Sequence, residues 1–180
     1  MRRTLITAIG AGLAMACAGC GYSTRSLVST QYRTIYIAPF ANTIDITQES
    51  DSSSRYKVYK PKLETDVTKS VINKFLTDGN LKPVSGENAD VVLRGELVEF
   101  RRDPVRYTDS DDVLEYRLNI VVNLAFRDRK DDRLLWEEKR FTGDATYFTS
   151  GALAKSEDTA TAEAVKDLSR RIVERVVEQW

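Results

Sequence analysis

Two cysteines three positions apart, Cys17 and Cys20, are the only thiols in this 180-residue chain, and histidine is absent. A thiol can serve as nucleophile, metal ligand, disulfide partner or acyl acceptor, so position has to decide. Upstream lie Arg2 and Arg3 and an uncharged run from Leu5 to Ala16. That run is about twelve residues, short of the roughly 20 that a spanning helix needs, and it has the form of a secretory leader. Ala18 and Gly19, a small pair directly before Cys20, match a lipoprotein cleavage site, whereas the bulky Met15 before Ala16 and Cys17 does not. The third residue before Cys20 is Cys17 where an aliphatic is usual, and cysteine behaves as a small hydrophobe. Cys20 is therefore the candidate lipidation site. Residues 1–19 are expected to be removed, and 20–32 form a lipidated N-terminus and tether.

Processing at that point changes the chemistry open to the rest. With Cys17 discarded and Cys20 acylated, the folded domain keeps no free thiol. Disulfides, thiolate catalysis and cysteine-metal sites drop out. Without histidine the usual general base and the commonest metal ligand are also missing. The glycines follow neither the GxGxxG nor the P-loop spacing. No cofactor and no enzymatic activity are expected, although aspartate or glutamate chemistry stays open from sequence. Loss of Arg2 and Arg3 lowers the basic count from 27 to 25 against 27 acids, a formal charge of −2 with no nucleic-acid footprint.

Other clusters carry weaker signals. Asp109, Asp111 and Asp112 lack the central Gly and terminal Glu of a calcium loop, so a solvated hairpin tip is the better reading. Arg101, Arg102 and Arg106 suit phosphate, as arginine forks do, and a lipid headgroup contact competes with a simple solubilising role. Trp136, Trp180, Tyr147 and Phe148 could line an acyl groove, but core packing is favoured.

The elements that must position these residues are legible as periodicities. "RTIYIAPF" alternates and gives a strand over 33–38. Residues 43–60 are Ser-, Asp- and Thr-rich and read as a probable mobile loop. Leu63, Val67, Val71 and Phe75 recur every four residues, with Ile72 and Leu76 on the neighbouring face. With Pro61 at a helix start and Gly79 at its end, they predict a helix over about 62–78. "DVVLRGELVEF" is a second strand, followed by a loop "RRDPVRYTDSDD". "LEYRLNIVVNLAFR" places Tyr116, Leu118, Ile120, Val122, Leu124 and Phe126 on one face, the mark of a half-buried strand. A short charged turn at 128–133 predicts an antiparallel partner over about 134–148, where Gly143 marks a bulge or bend. Val165, Leu168, Ile172 and Val176, with Trp180 beyond them, define a last amphipathic helix from about Asp158, capped by Ser156 or Asp158. The order βαβββα predicts an α+β two-layer sandwich, a four-stranded, mostly antiparallel sheet covered by two helices, as a single domain over 33–180.

Taken in order, Cys20-Gly21-Tyr22, the strand ending near Phe40-Ala41-Asn42, "ADVVLRGEL", "EYRLNIVVNLAF" and "GALAKSED" resemble the lipopolysaccharide-assembly lipoproteins known as LptE. The resemblance spans the whole mature chain. It implies a lipid-anchored protein of the outer membrane, facing the periplasm and partnering a β-barrel translocon in lipopolysaccharide transport. It also implies lipopolysaccharide binding through Lys155 in the A-L-A-K segment, with Arg106 the nearest candidate for a second basic contact. Gly21, rather than Asp, after the acylated cysteine agrees with an outer-membrane address. "IYIAPFAN" equally resembles the opening strand of envelope lipoproteins that act as adaptors or activators of cell-wall or secretion machinery.

Overall fold

The computed structural model describes residues 32–44 and 60–178. The leader, Cys20 and its tether, nearly all of the 43–60 segment, and Trp180 lie outside the described residues. In chain order the elements are β1 (Thr34–Ile37), β2 (Ala41–Asn42), α1 (Leu63–Asp78), β3 (Lys82–Pro83), β4 (Val91–Tyr107), β5 (Val113–Asp128), β6 (Leu134–Phe148) and α2 (Glu157–Glu178). A short 3-10 turn, Gly86–Asn88, leads into β4.

The architecture is α+β with two helices, as expected, but the sheet is mixed and has six strands in the order β3-β1-β4-β5-β6, with β2 also on β4. The four-stranded expectation missed β2 and β3. Each is two residues long, too short for any alternation to register. The three long strands form an antiparallel meander, whereas β1, β2 and β3 pair in parallel. Local pattern is blind to that distinction, because β1 reaches β4 only after the chain has passed through α1.

β4 corrects the sequence reading most. The segment "RRDPVRY" is strand rather than loop, so β4 runs seventeen residues and only Thr108–Asp112 form the turn. Pro104 sits opposite Tyr116 beside a register shift. β2 reaches only as far as Leu97, so beyond that point β4 has no neighbour on its other side among the described residues. A proline lacking its N–H is tolerated on such an edge.

One face of the sheet is the core. It carries Ile35, Ile37, Val91, Leu93, Leu97, Phe100, Leu118, Ile120, Val122, Leu124 and Phe126, each at most 4% exposed. The face of β5 read from alternation is this buried face. Against it lie the stripes of α1 (Leu63, Val67, Val71, Phe75) and α2 (Val165, Leu168, Ile172, Val176). The helices run side by side in the same direction, joined by a Lys60–Asp158 ion pair at their starts and by a Ser70–Ser169 hydroxyl bond further on. α1 begins at Leu63 rather than at Pro61, because Lys62 takes a left-handed φ of 65° as its cap. Gly79, at φ 80°, closes it with its N–H on the Phe75 carbonyl. Leu76, expected beside Ile72 on the apolar flank, is 59% exposed. Ser156 is the cap of α2, its hydroxyl accepting the Thr159 N–H at 3.1 Å, while Asp158 serves the ion pair to Lys60.

Gly143 is neither bulge nor bend. It pairs in register with Ile120, and the irregularity falls between the Val122 and Leu124 pairings, where Arg140 has φ 55°. A side chain at Gly143 would come within 2.5 Å of the Leu168 Cα, so glycine is needed where α2 crosses β6.

Candidate functional site

The long meander projects past the start of α2. Arg102 Nη1 meets Glu157 Oε2 at 2.6 Å, which places the first turn of α2 beside position 102 of β4. Five further residues of β4 then extend beyond it, roughly 17 Å at strand rise. This projecting end holds both residues singled out for lipid contact. Arg106 pairs in register with Glu115, Glu115 with Phe148, and Phe148 bridges to Ala154, the neighbour of Lys155. The Lys155 N–H donates to the Phe148 carbonyl at 3.1 Å. One row across the sheet thus joins segments about fifty positions apart.

The geometry sorts the three arginines. Arg101 bonds to Asp103 at 2.8 Å and Glu99 at 3.1 Å on the open face, and Asp103 chiefly holds its guanidinium above the ordinary arginine range. The chain of contacts continues from Asp103 to Asn119 and from Glu99 to Arg140, and beneath it Val121 is only 2% exposed. Arg102 stacks over Tyr116 at 4.9 Å and holds Glu157, whose Oε2 also accepts the Tyr147 hydroxyl. Burial, and then the Glu157 charge, push the Tyr147 phenol up, so it stays a neutral donor. Both arginines are therefore structural latches. Arg106 is not one: its guanidinium is 61% exposed, lies 3.5 Å from Glu115 and rests 5.6 Å above the Phe148 ring.

Lys155 is held by Glu163 at 2.6 Å, with side-chain exposures of 38% and 45%. An exposed pair of this kind contributes about 0–1 kcal/mol, so an incoming phosphate can displace the carboxylate at little cost. Around these two cations stand Val105 (46% exposed), Tyr107 (53%) and Leu153 (70%), large apolar side chains left in water. Sequence reasoning missed them because "PVRY" was read as loop. Continued strand beyond Pro104 was the signal that could have shown them.

The remaining candidates resolve otherwise. Asp109, Asp111 and Asp112 lie in or beside the turn, and no metal-capable group of three ligands exists among the described residues. Tyr147 is 5% exposed and stacked on Tyr116 at 5.7 Å, and Trp136 packs on Phe126 at 5.4 Å beneath Arg175. These aromatics form core and rim. Only Phe148 belongs to the projecting end.

The LptE family model, described as lipopolysaccharide-assembly, matches residues 32–176. The chain belongs to the LptE family. No curated protein matches it. Among solved structures it is similar to protein XCC0632 from Xanthomonas campestris, at 12% identity and TM-score 0.52, over 84% of this chain and 90% of that one. It is also similar to the hypothetical protein CT253 from Chlamydia trachomatis, at 16% identity and TM-score 0.50, over 81% and 95% of the two chains. The rare lipoprotein B from Shewanella oneidensis aligns over 80% and 92%, at 15% identity and TM-score 0.41. At these identities the first two show a shared fold, and the family match carries the LptE assignment.

Proposed function

We propose that this LptE-family protein is an outer-membrane lipoprotein, acylated at Cys20 and facing the periplasm, that partners a β-barrel translocon in lipopolysaccharide transport. Its role is non-catalytic: it contacts lipopolysaccharide at the projecting end through Lys155 and Arg106. The observation that carries the reading is the mixture at that end. Weakly held cations stand beside exposed Val105, Tyr107 and Leu153, and lipopolysaccharide offers phosphates together with acyl chains. Charge and apolar surface are thus matched in one place. The first described residue, Tyr32, lies at the opposite end of the sheet, its hydroxyl on Asp128 at 2.7 Å. A tether from Cys20 then leaves the projecting end the part of the domain furthest along the sheet from the point where the chain enters.

The test uses the full, acylated chain recovered in mild detergent from its own cells. Co-purification of a β-barrel is expected, and Lys155→Asp with Arg106→Asp is expected to weaken lipopolysaccharide binding at least tenfold. Barrel-free recovery together with lipid binding unchanged by both substitutions would sink the proposal. Depletion that altered cell-wall growth or secretion while surface lipopolysaccharide stayed normal would favour the adaptor reading instead.

A further inference from the structure

At the other end of the open sheet face, some 40 Å from Arg106 by strand rise between positions 94 and 106, lies a cleft of about 690 Å³. It is lined by Tyr36, Ala38, Ser85, Gly86, Val92, Arg94, Arg129 and Asp132. Its floor is apolar: Tyr36 and Val92 are register partners, and Val92 is 7% exposed. The Tyr36 ring is fixed against the 3-10 turn, since a Cβ on Gly86 would stand only 3.2 Å from it. Two guanidiniums border that floor. Arg94 is exposed and has no acidic partner within ion-pair distance among the described residues. Arg129 spends only its Nε, donated to the Gly86 carbonyl at 3.2 Å, which orients the side chain and leaves the outer fork open. Further along this face Arg101 and Arg140 are both taken by Glu99. In the cleft the one lining carboxylate, that of Asp132, is paired with Arg127 rather than with Arg94 or Arg129.

We infer that the cleft is a docking site for an acidic peptide segment of a partner protein, a carboxylate side chain taking the Arg94 and Arg129 forks over the Tyr36–Val92 floor. Arginine's planar fork matches a carboxylate in two parallel hydrogen bonds, and the open forks supply that geometry. The fourth polar wall selects peptide over free phosphate. Asp132 lines the same cleft, its carbonyl accepting from Arg127 at 2.9 Å and its exposed carboxylate 3.6 Å from the same guanidinium. Its negative charge disfavours a phosphate dianion more than a singly charged carboxylate. A peptide presents a carboxylate to the arginines and its own N–H groups to Asp132. The volume lies within the range of sites that enclose a small ligand or a few residues. This inference goes beyond the lipid contact and does not depend on it, because the two sites share no residue.

The test is isothermal titration calorimetry of the full chain with an acetylated, amidated hexapeptide alternating Asp and Leu. Saturable binding is expected, weakened at least tenfold by Arg94→Ala and by Arg129→Ala. Arg94→Lys should keep only part of it, since an ammonium cannot form the paired contact. Arg117→Ala removes one exposed charge from the same face outside the cleft and is expected to bind as the parent does. Circular dichroism melting separates misfolding from loss of the site. Absence of saturation, an equal loss with Arg117→Ala, or full displacement by equimolar inorganic phosphate would each overturn the assignment.

Discussion

The seam between α2 and the sheet and the projecting end of the meander are built from the same residue types used oppositely. In the seam every cation has work within the fold. Arg171 joins Asp144 and Asp167, Arg175 meets Glu138 at 2.8 Å while stacking on Trp136 at 4.7 Å, and Arg102 holds Glu157. The apolar side chains beneath them, Leu168 and Ile172 among them, are fully buried. At the projecting end Arg106 and Lys155 have long or solvent-exposed partners, and Leu153 is bare. Ion pairs and buried apolar contacts are thus concentrated in the seam, and exposed cations and apolar side chains at the projecting end.

Substitution at Gly143 should break that division most severely. Gly143→Val drives a side chain into the Leu168 backbone, and overpacking of this kind costs about 3 kcal/mol, a fall in melting temperature of roughly 10 °C for a domain this size. Thermal denaturation followed by circular dichroism checks it. An unchanged midpoint would mean that α2 does not lie on β6 at that crossing.

A smaller effect distinguishes the arginines four positions apart. Arg102→Ala leaves Glu157 without its guanidinium and Tyr116 without its stack. At about 40% exposure the charge-assisted bond is screened, so a loss of about 1 kcal/mol is expected. Arg106→Lys keeps a cation beside the buried Glu115 carboxylate and should shift stability by less than about 0.5 kcal/mol, yet reduce lipopolysaccharide binding, because an ammonium lacks the paired fork. Equal destabilisation by the two in urea titration would erase the distinction drawn between latch and contact.

Acid should loosen the body at the end where the chain enters. Asp90 accepts the N–H groups of Arg33 and Thr34 and the Thr34 hydroxyl, and these bonds, the Arg33 N–H first, hold its carboxyl below the ordinary 3.8. Asp128 is likewise held low, first by the Tyr32 hydroxyl and then by the Lys130 N–H. A carboxylate with a lowered folded pKa stabilises above its unfolded value, and that contribution is lost as pH falls through the folded one. Protection of β1 amides from hydrogen exchange should therefore hold from neutrality to about pH 4 and decline below it. Asp90→Ala should show the weaker protection already at pH 7.

Least affected should be the exposed apolar trio. Leu153→Ser and Tyr107→Ser are expected to stay within about 0.5 kcal/mol of the parent, measured in urea, while weakening partition into lipopolysaccharide micelles. A large stability loss would show that the projecting end is part of the core after all.

Both helices, the long strands β5 and β6 and the identity of the buried face were legible because periods of 3.6 and 2 are local properties of the chain. The stripe Leu63, Val67, Val71 and Phe75 is buried as spaced, and β6 spans the residues that the charged turn implied. Pro104 hid the last seven of the seventeen residues of β4. Only the strand pairing shows that, among the described residues, this proline sits on an edge where its missing N–H costs no ladder bond. Gly143 carried a real signal with the wrong cause, because an overlying helix leaves no trace in neighbouring residues. Arg106 and Lys155 were named from resemblance. That they share a row, and that Arg101 and Arg102 are latched while Arg106 is not, depends on contacts between segments far apart in sequence.

By itself, then, the sequence determined the class of the fold, the composition that removes thiol and imidazole chemistry from the domain, and the family. The tertiary structure alone decided the parallel pairing of the short strands, the reach of the meander beyond α2, and which cations are locked into the fold and which stay exposed. Periodicity acts between neighbours along the chain. Register, edge position and charge pairing arise between residues that only folding brings together.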